Sequence, residues 1–545
     1  MKNILKYALV ALVGSSLGLT SCGLDEYNPS AGNETVESFD TWKGLATYCY
    51  APLATQLYSV YDFMSVAEGG TDMWLCPGGN PDYAKQLIYY DGLTTNTNAS
   101  NKVFKQAYAA IASCNSVIAN AEKVEGGLPS EVNKILAEVK TLRAFYNLIL
   151  VTYYGPVTLS TEEVGNINLN PTRNTVEEFY EAIVTDLKEA AALLDNSPVD
   201  GNYARVTKKT ALGILARAYA QGAGEGLQEN GKSYWQRARE VAEDMINNAG
   251  AYNIYLYDNI DDLWAQANNR NNKEALFIAS GANTTIEDMK NYYTKNNLFT
   301  YTICNPNKLN DLYTRTDKTN YYLGRTNNCT FAPSPYTVNV YDPSWDRRWE
   351  NTFMTAFGMF STTDPENQAM GPYAATCVTL TPTVIEKYRL NTKFIGKKIY
   401  PYVDMRVVKG GAYDQYVPDG IWPKGETKGE RANLMQVKNV YVIDYPVDLD
   451  DNRFAFILSK EPRTDAQKAE SQYFTVNIDD LFGDGTYSTE YKKEAFEPEE
   501  KYKTNAYQLY PSLVKFNWCF DGSWGSALNT KNGEMMIMRT AEIYL

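Results

Sequence analysis

The chain has 545 residues, of which 44% are hydrophobic and 21% charged, a globular composition with length for roughly two to four domains. Its formal net charge of -14 opposes binding to nucleic acid, which requires basic surface to displace counterions. It holds 43 tyrosines and no histidine, which excludes Ser-His-Asp and Cys-His catalytic devices and His-ligated zinc or haem, but leaves carboxylate-only chemistry such as glycoside hydrolysis.

The N-terminus reads MKNILKYALVALVGSSLGLTSC. Lys2 and Lys6 precede a short apolar run, Tyr7 to Leu19, which suits a signal peptide better than a bilayer span. Leu19-Thr20-Ser21-Cys22 then resembles a bacterial lipobox, in which Cys22 is acylated after residues 1–21 are removed. The alternative is an ordinary secretion signal with an incidental cysteine. The position of Cys22 at the cut favours lipidation, and stable anchoring needs more than one acyl chain, which a multiply acylated cysteine provides. Residues 22–40 are polar, contain Pro and Gly, and read as a lipidated tether.

Five helices stand out by their apolar period. Lys102 to Val124 carries Phe104, Ala107, Tyr108, Ile111 and Ile118 on one face. Glu131 to Tyr154 carries Ile135, Val139, Leu142, Tyr146, Ile149 and Tyr153 and stops at Gly155-Pro156. Val176 to Leu194 opens on a capping box, Thr175 with Glu178. Thr207 to Gln221 is rich in alanine, and Tyr234 to Asn248 brings Ala238 and Ala242 towards it. This pair resembles a tetratricopeptide unit, in which small residues let helices pack closely. Between the two lies GLQENGKS, Gly226 to Ser233, which matches the phosphate-loop pattern letter for letter. A phosphate loop follows a buried strand, whereas this one follows a helix and carries Glu229 in the cradle. It is read as a loop between paired helices, with Ser233 capping the second.

Beyond about residue 250 the texture turns to Asn, Thr, Tyr, Gly and Pro. Leu276 to Ala279 reads as a buried strand and Val437 to Val442 as another. Residues 281–504 read as irregular and loop-rich, which in compact domains marks function or mobility. Glu534 to Leu545 resumes a helical look, and the chain is expected to be truncated inside that helix. The eight cysteines form no CxxC pair and give no zinc or iron–sulfur spacing; a bridge such as Cys304 with Cys329 stays open. Asp448 to Asp451 and Asp479-Asp480 lack the Gly and closing Glu of a calcium loop and read as solvated turns. No cofactor or metal is expected.

Several blocks together resemble the SusD/RagB family. They are Cys22-Gly23-Leu24-Asp25, EVKTLRAFYNLILVTYYGPV from Glu138, VTKKTALGILARAY from Val206, YDPSWDRRWENTF from Tyr341, YPSLVKF from Tyr510 and IMRTAEIYL from Ile537. The resemblance implies a mostly α fold: a tetratricopeptide-like helical-repeat scaffold over 41–280, a loop-rich variable ligand-binding region over 281–504 with few short strands, and the start of a C-terminal helical region over 505–545. It implies a lipoprotein on the outer-membrane surface, without enzymatic activity, that captures glycans or oligosaccharides for a SusC-like TonB-dependent transporter. Ligand residues follow no fixed motif in this family, so they are sought by chemistry. Sugars stack on exposed aromatic faces beside groups that read hydroxyls. Trp74 and Tyr83, in GGTDMWLCPGGNPDY, meet that description. So do Tyr292, Tyr293 and Tyr301, in and after KNYYTKNN, and Tyr321 with Tyr322 in KTNYYLGRTNN. For any single tyrosine the alternative is ordinary loop packing. Arg143, Tyr146 and Arg217 read as scaffold. Capture of peptides or another nutrient, a carboxylate-based glycosidase, and a purely protein-binding helical scaffold are the competing functions.

Overall fold

The computed structural model describes residues 38–58, 61–76, 86–90, 92–163, 165, 170–264, 268, 270–280, 298–302, 304, 330–342, 344–357, 378–399, 402–404, 441–443, 456–471, 473–482, 509–513, 515 and 534–545. All five periodic stretches are helices. Two shorter helices, α1 (Phe39–Tyr48) and α2 (Tyr61–Glu68), precede α3 (Asn98–Asn120), α4 (Pro129–Tyr154), α5 (Val176–Leu193), α6 (Lys208–Ala223) and α7 (Tyr234–Asn247). Their ends follow local chemistry. Pro129 opens α4, where its missing N–H costs no hydrogen bond, and Gly155 at φ 69° ends it. The expected capping box opens α5: the Glu178 N–H donates to Thr175 Oγ1 at 3.1 Å and the Thr175 N–H to Glu178 Oε2 at 2.7 Å.

Each long helix lies against the next, α3 on α4, α4 on α5, α5 on α6 and α6 on α7. These successive helical hairpins make a tetratricopeptide-like scaffold. Helix α4 is its axis, buried almost continuously from Ile135 to Val151. Small residues set the spacing: a Cβ on Gly222 of α6 would lie 2.8 Å from the Tyr234 ring and 3.0 Å from Tyr180. Buried charge pairs tie the layers. Arg143 of α4 clasps Asp186 of α5 with Nε at 2.8 Å and Nη2 at 2.7 Å. Arg205 clasps Glu138, a fully buried side chain, with Nε at 3.0 Å. The Tyr146 hydroxyl donates to the Cys49 carbonyl at 2.7 Å, and the Trp42 indole to the Val117 carbonyl at 2.9 Å.

The strand expected at Leu276 to Ala279 is Ala275–Ala279, buried throughout. Its antiparallel partner is Met535–Arg539, which corrects the helical reading of Glu534 to Leu545. The helix begins only at Thr540, whose N–H donates to the Glu274 carbonyl at 2.9 Å. The backbone of the EMMIMR segment finds its partners on a strand more than 250 residues earlier, and that ladder overrides the helical preference of methionine. The described residues of the later chain form short elements. Phe456–Ser459 runs parallel to Phe474–Asn477 and antiparallel to Ala356–Phe357. Tyr441–Ile443 runs parallel to Tyr402–Asp404 and takes in the end of the expected strand at 437–442, whose first residues lie outside those described. Helix with few short strands is thus the character of the fold. Among the described residues no helix is long and apolar enough to cross a membrane.

Candidate functional site

Two of the aromatic segments singled out above meet in one backbone knot. Trp74–Leu75 pairs antiparallel with Ala332–Pro333. The Met73 carbonyl accepts from the Ser334 N–H at 2.9 Å and from the Thr337 hydroxyl at 2.6 Å, and the Ser334 hydroxyl donates to the Asp72 carbonyl. The Tyr301 carbonyl accepts from both the Thr330 and Phe331 N–H groups at 2.9 Å. Segments 72–75, 299–302 and 330–337 are therefore fastened together. Tyr321 and Tyr322 fall in sequence between Cys304 and Thr330, and Thr330 belongs to the knot.

Trp74 is 8% exposed. Its indole N–H donates to the Glu68 carboxylate at 3.0 Å, and its ring meets Phe331 edge-on at 6.3 Å. In this conformation the ring packs within the knot. Tyr301 is half-buried and acts through its carbonyl. Tyr83, Tyr292, Tyr293, Tyr321 and Tyr322, like Cys22 and Cys329, lie outside the described residues. Cys304 is buried, with its N–H donating to Ser512 Oγ at 2.8 Å.

Exposed rings near the knot went unnoticed in the sequence. Tyr336 follows the Ala332–Pro333 strand and is 57% exposed; Tyr90, next to the residue whose hydroxyl bonds the Cys76 backbone, is 64% exposed. Trp345 is 72% exposed. Its signal was the turn before it: the Ser344 N–H and hydroxyl both donate to Asp342 Oδ1, at 2.8 and 2.6 Å, and turn the chain outward.

Around that turn the sequence blocks converge into a cation–aromatic stack. Tyr341, Trp349 and Phe353 cluster with ring centroids 4.8–6.3 Å apart. Lys460 lies 4.8 Å over the Trp349 ring and donates to the Tyr341 carbonyl at 2.6 Å. The Arg348 guanidinium, hydrogen-bonded to Asp346, holds that carboxyl below its ordinary value although desolvation opposes it. Phe353–Met354 pairs with Ser512–Leu513, and the following Lys515 sits 4.4 Å over the Trp264 ring. Desolvation, helped by Arg539 and Arg348, pushes the Lys515 amine down to about 7. Arg539 pairs with Glu274 at 3.0 Å, and Arg217 reaches Glu542 at 2.5 Å. These contacts bind the later chain to the helical scaffold.

The phosphate-loop look-alike is a tight hairpin, Gln228–Glu229 against Lys232–Ser233, turning through Asn230 and Gly231 at positive φ. Lys232 pairs with Glu240, and the Glu229 carboxylate is taken by Lys188 at 2.9 Å, Tyr219 at 3.0 Å and Arg237 at 3.0 Å. Ser233 caps α7 by accepting from the Gln236 N–H. The segment joins two helices and has no cradle of free amides after a strand.

Asp479 and Asp480 fall in a 3-10 turn, with Asp480 paired to Lys468 at 3.6 Å; residues 448–451 lie outside the described residues. Among the described residues no group of three metal-ligating side chains gathers.

Residues 78–220 match the family profile SusD-like_3, described as starch-binding and associating with the outer membrane. The likeness to this SusD-like family covers those 143 residues of the 545. It is 28% identical over 178 residues to SusD-like protein P2 of Formosa agariphila, a match over 32% of each chain, so it spans about a third of the curated relative it matches. Solved structures with the likeness include a SusD homologue from Bacteroides thetaiotaomicron, 18% identical, with 56% of this chain and 55% of that one covered and a TM-score of 0.45. Another is surface glycan-binding protein A from the same organism in complex with laminarihexaose, also 18% identical, covering 58% and 64%, with a TM-score of 0.45.

Proposed function

We propose that this protein is a non-catalytic lipoprotein of the outer-membrane surface, anchored through Cys22, that captures glycans or oligosaccharides and hands them to a SusC-like TonB-dependent transporter. The observation that carries this reading is the match of residues 78–220 to a family described as starch-binding and associating with the outer membrane. The knot joining segments 72–75, 299–302 and 330–337 supports it physically. A loop that stacks on sugar rings must be held at its base, or ordering it on binding costs much of the affinity. Tyr321 and Tyr322 on the stretch between Cys304 and Thr330, with Tyr292 and Tyr293 before it, Tyr83 after Trp74, and the exposed Tyr90, Tyr336 and Trp345, are the proposed contacts. Trp74 contributes by shaping the base.

The test is retention of a glycan panel by purified lipid-free protein, with product analysis of the retained material. Retention of an intact glycan agrees with the proposal. Catalytic release of shorter products identifies a glycosidase instead, and retention of peptides with no glycan moves the ligand class. Co-purification with a transporter barrel from membranes tests the delivery partner.

A further inference from the structure

Two cysteines far apart in sequence meet where α1 lies against α3. The buried face of α1 is Trp42 and Ala46, continued by Cys49 at the helix end. The buried face of α3 includes Ala107, Ala110, Cys114 and Val117, at the same helical spacing. The Trp42 indole donates to the Val117 carbonyl at 2.9 Å and so fixes how the two helices sit on each other. Cys49 lies two turns on from Trp42, and Cys114 one turn back from Val117. The Cys49 and Cys114 side chains hydrogen-bond to each other, and both residues are 0% exposed.

Helix α4 holds this pair from a third side. The Tyr146 hydroxyl donates to the Cys49 carbonyl at 2.7 Å. Arg143, one turn earlier, donates from Nη1 to Asn115 Oδ1 at 2.9 Å, next to Cys114 in the chain. The two thiols are thus kept together by contacts other than their own. A thiol is a weak donor, and the further contact of Cys49 Sγ, to the Leu45 carbonyl, is 3.5 Å long. Desolvation, and then the hydrogen bond from Cys49, push the Cys114 thiol well above its ordinary value. The folded core therefore suppresses the thiolate and shuts out an oxidant. Oxidation of this pair belongs to the folding chain, whose thiols are still in water. The leader ending at Cys22 reads as an export signal, which sends the chain to a compartment where disulfides form.

We propose that Cys49 and Cys114 are a modification site, joined as a disulfide while the exported chain folds, with a thiol–disulfide oxidant as electron acceptor. One cysteine thiolate attacks the oxidant's S–S bond and displaces one thiolate from it. The second cysteine thiolate attacks the mixed disulfide and displaces the other. The pair gives up two electrons, the oxidant's disulfide becomes two thiols, and the protons released by the cysteines end on those thiols. The bond staples α1 to α3 and closes a long loop of the unfolded chain, which stabilises the fold. In the cell the proposal rests on export for its oxidant and not on the ligand; the test supplies the oxidant directly, so its outcome stands apart from that of the glycan panel.

The test refolds the full chain from denaturant and reductant, either into a glutathione redox buffer or into dithiothreitol, followed by peptide mapping without reduction after trypsin and chymotrypsin. A peptide pair linking Cys49 to Cys114 is expected from the glutathione sample and not from the dithiothreitol sample. The oxidised protein is expected to melt higher than the reduced one, and this gap to shrink in Cys49→Ala and in Cys114→Ala, which leave no polar group in the core. Should either variant fail to fold, the map of the parent decides. The proposal is overturned by a glutathione sample that is folded by circular dichroism but lacks the linked pair, by a map in which Cys49 or Cys114 is joined mainly to another cysteine, or by a melting gap of full size in both variants.

Discussion

Glu138 has no exposure to water and its charge is answered by Arg205, which makes the pair costly to break from one side. Glu138→Gln leaves the guanidinium buried with half its partners and is expected to destabilise the fold by about 3–5 kcal/mol, read from the midpoint of urea unfolding at unchanged slope. Glu138→Leu with Arg205→Met is expected to cost much less than the single change, because neither charge is then stranded. At the surface, Glu178 behaves in the opposite way. The Thr175 backbone N–H, with Asn174 beside it, holds its carboxyl below the ordinary glutamate value. A depressed folded value means stability present above the unfolded value, about 4.3, and lost as pH falls through the folded one. The melting temperature of Glu178→Ala should therefore lie below that of the parent at pH 6, with the gap closing on acidification; a gap independent of pH contradicts the assignment. Single residues were only partly legible. The sequence showed that Trp74 sits among loop-forming residues, but its burial depends on Phe331 and Glu68, one of them far away in the chain.

At the scale of elements, the long helices were read within a few residues because period and caps are local properties. Thr175 with Glu178, Gly155 and Ser233 each mark a boundary from within four positions. The Met535–Arg539 strand was not legible, since the reason for it is Ala275–Ala279 and no local pattern names that partner. The same contrast explains the phosphate-loop match. Its letters are right, but the flanking helices turn it into a hairpin whose lysine and carboxylate are paired within the protein. ATP and GTP with magnesium should leave the melting temperature unchanged. Ser233→Ala should cost about 1 kcal/mol through loss of the α7 cap. A nucleotide-dependent rise in melting temperature that Lys232→Ala abolishes would contradict this account of the hairpin.

Across the whole molecule, blocks that stand far apart in sequence become contacts between the scaffold and the later chain. Arg217 of α6 holds Glu542, Arg539 holds Glu274, and the Tyr203 hydroxyl donates to Glu534 across 331 residues, at 2.5 Å. These contacts thus join the scaffold to the later chain, and cargo is proposed to bind on the aromatic stretches. The direct measurement is affinity electrophoresis of the parent and of Tyr321→Ala/Tyr322→Ala through gels holding the glycan that the parent retains. The account predicts that the parent is retarded and the double variant is at least tenfold less so, with equal far-ultraviolet circular dichroism. Retardation that is unchanged in the double variant, or a parent that no glycan retards, would contradict it.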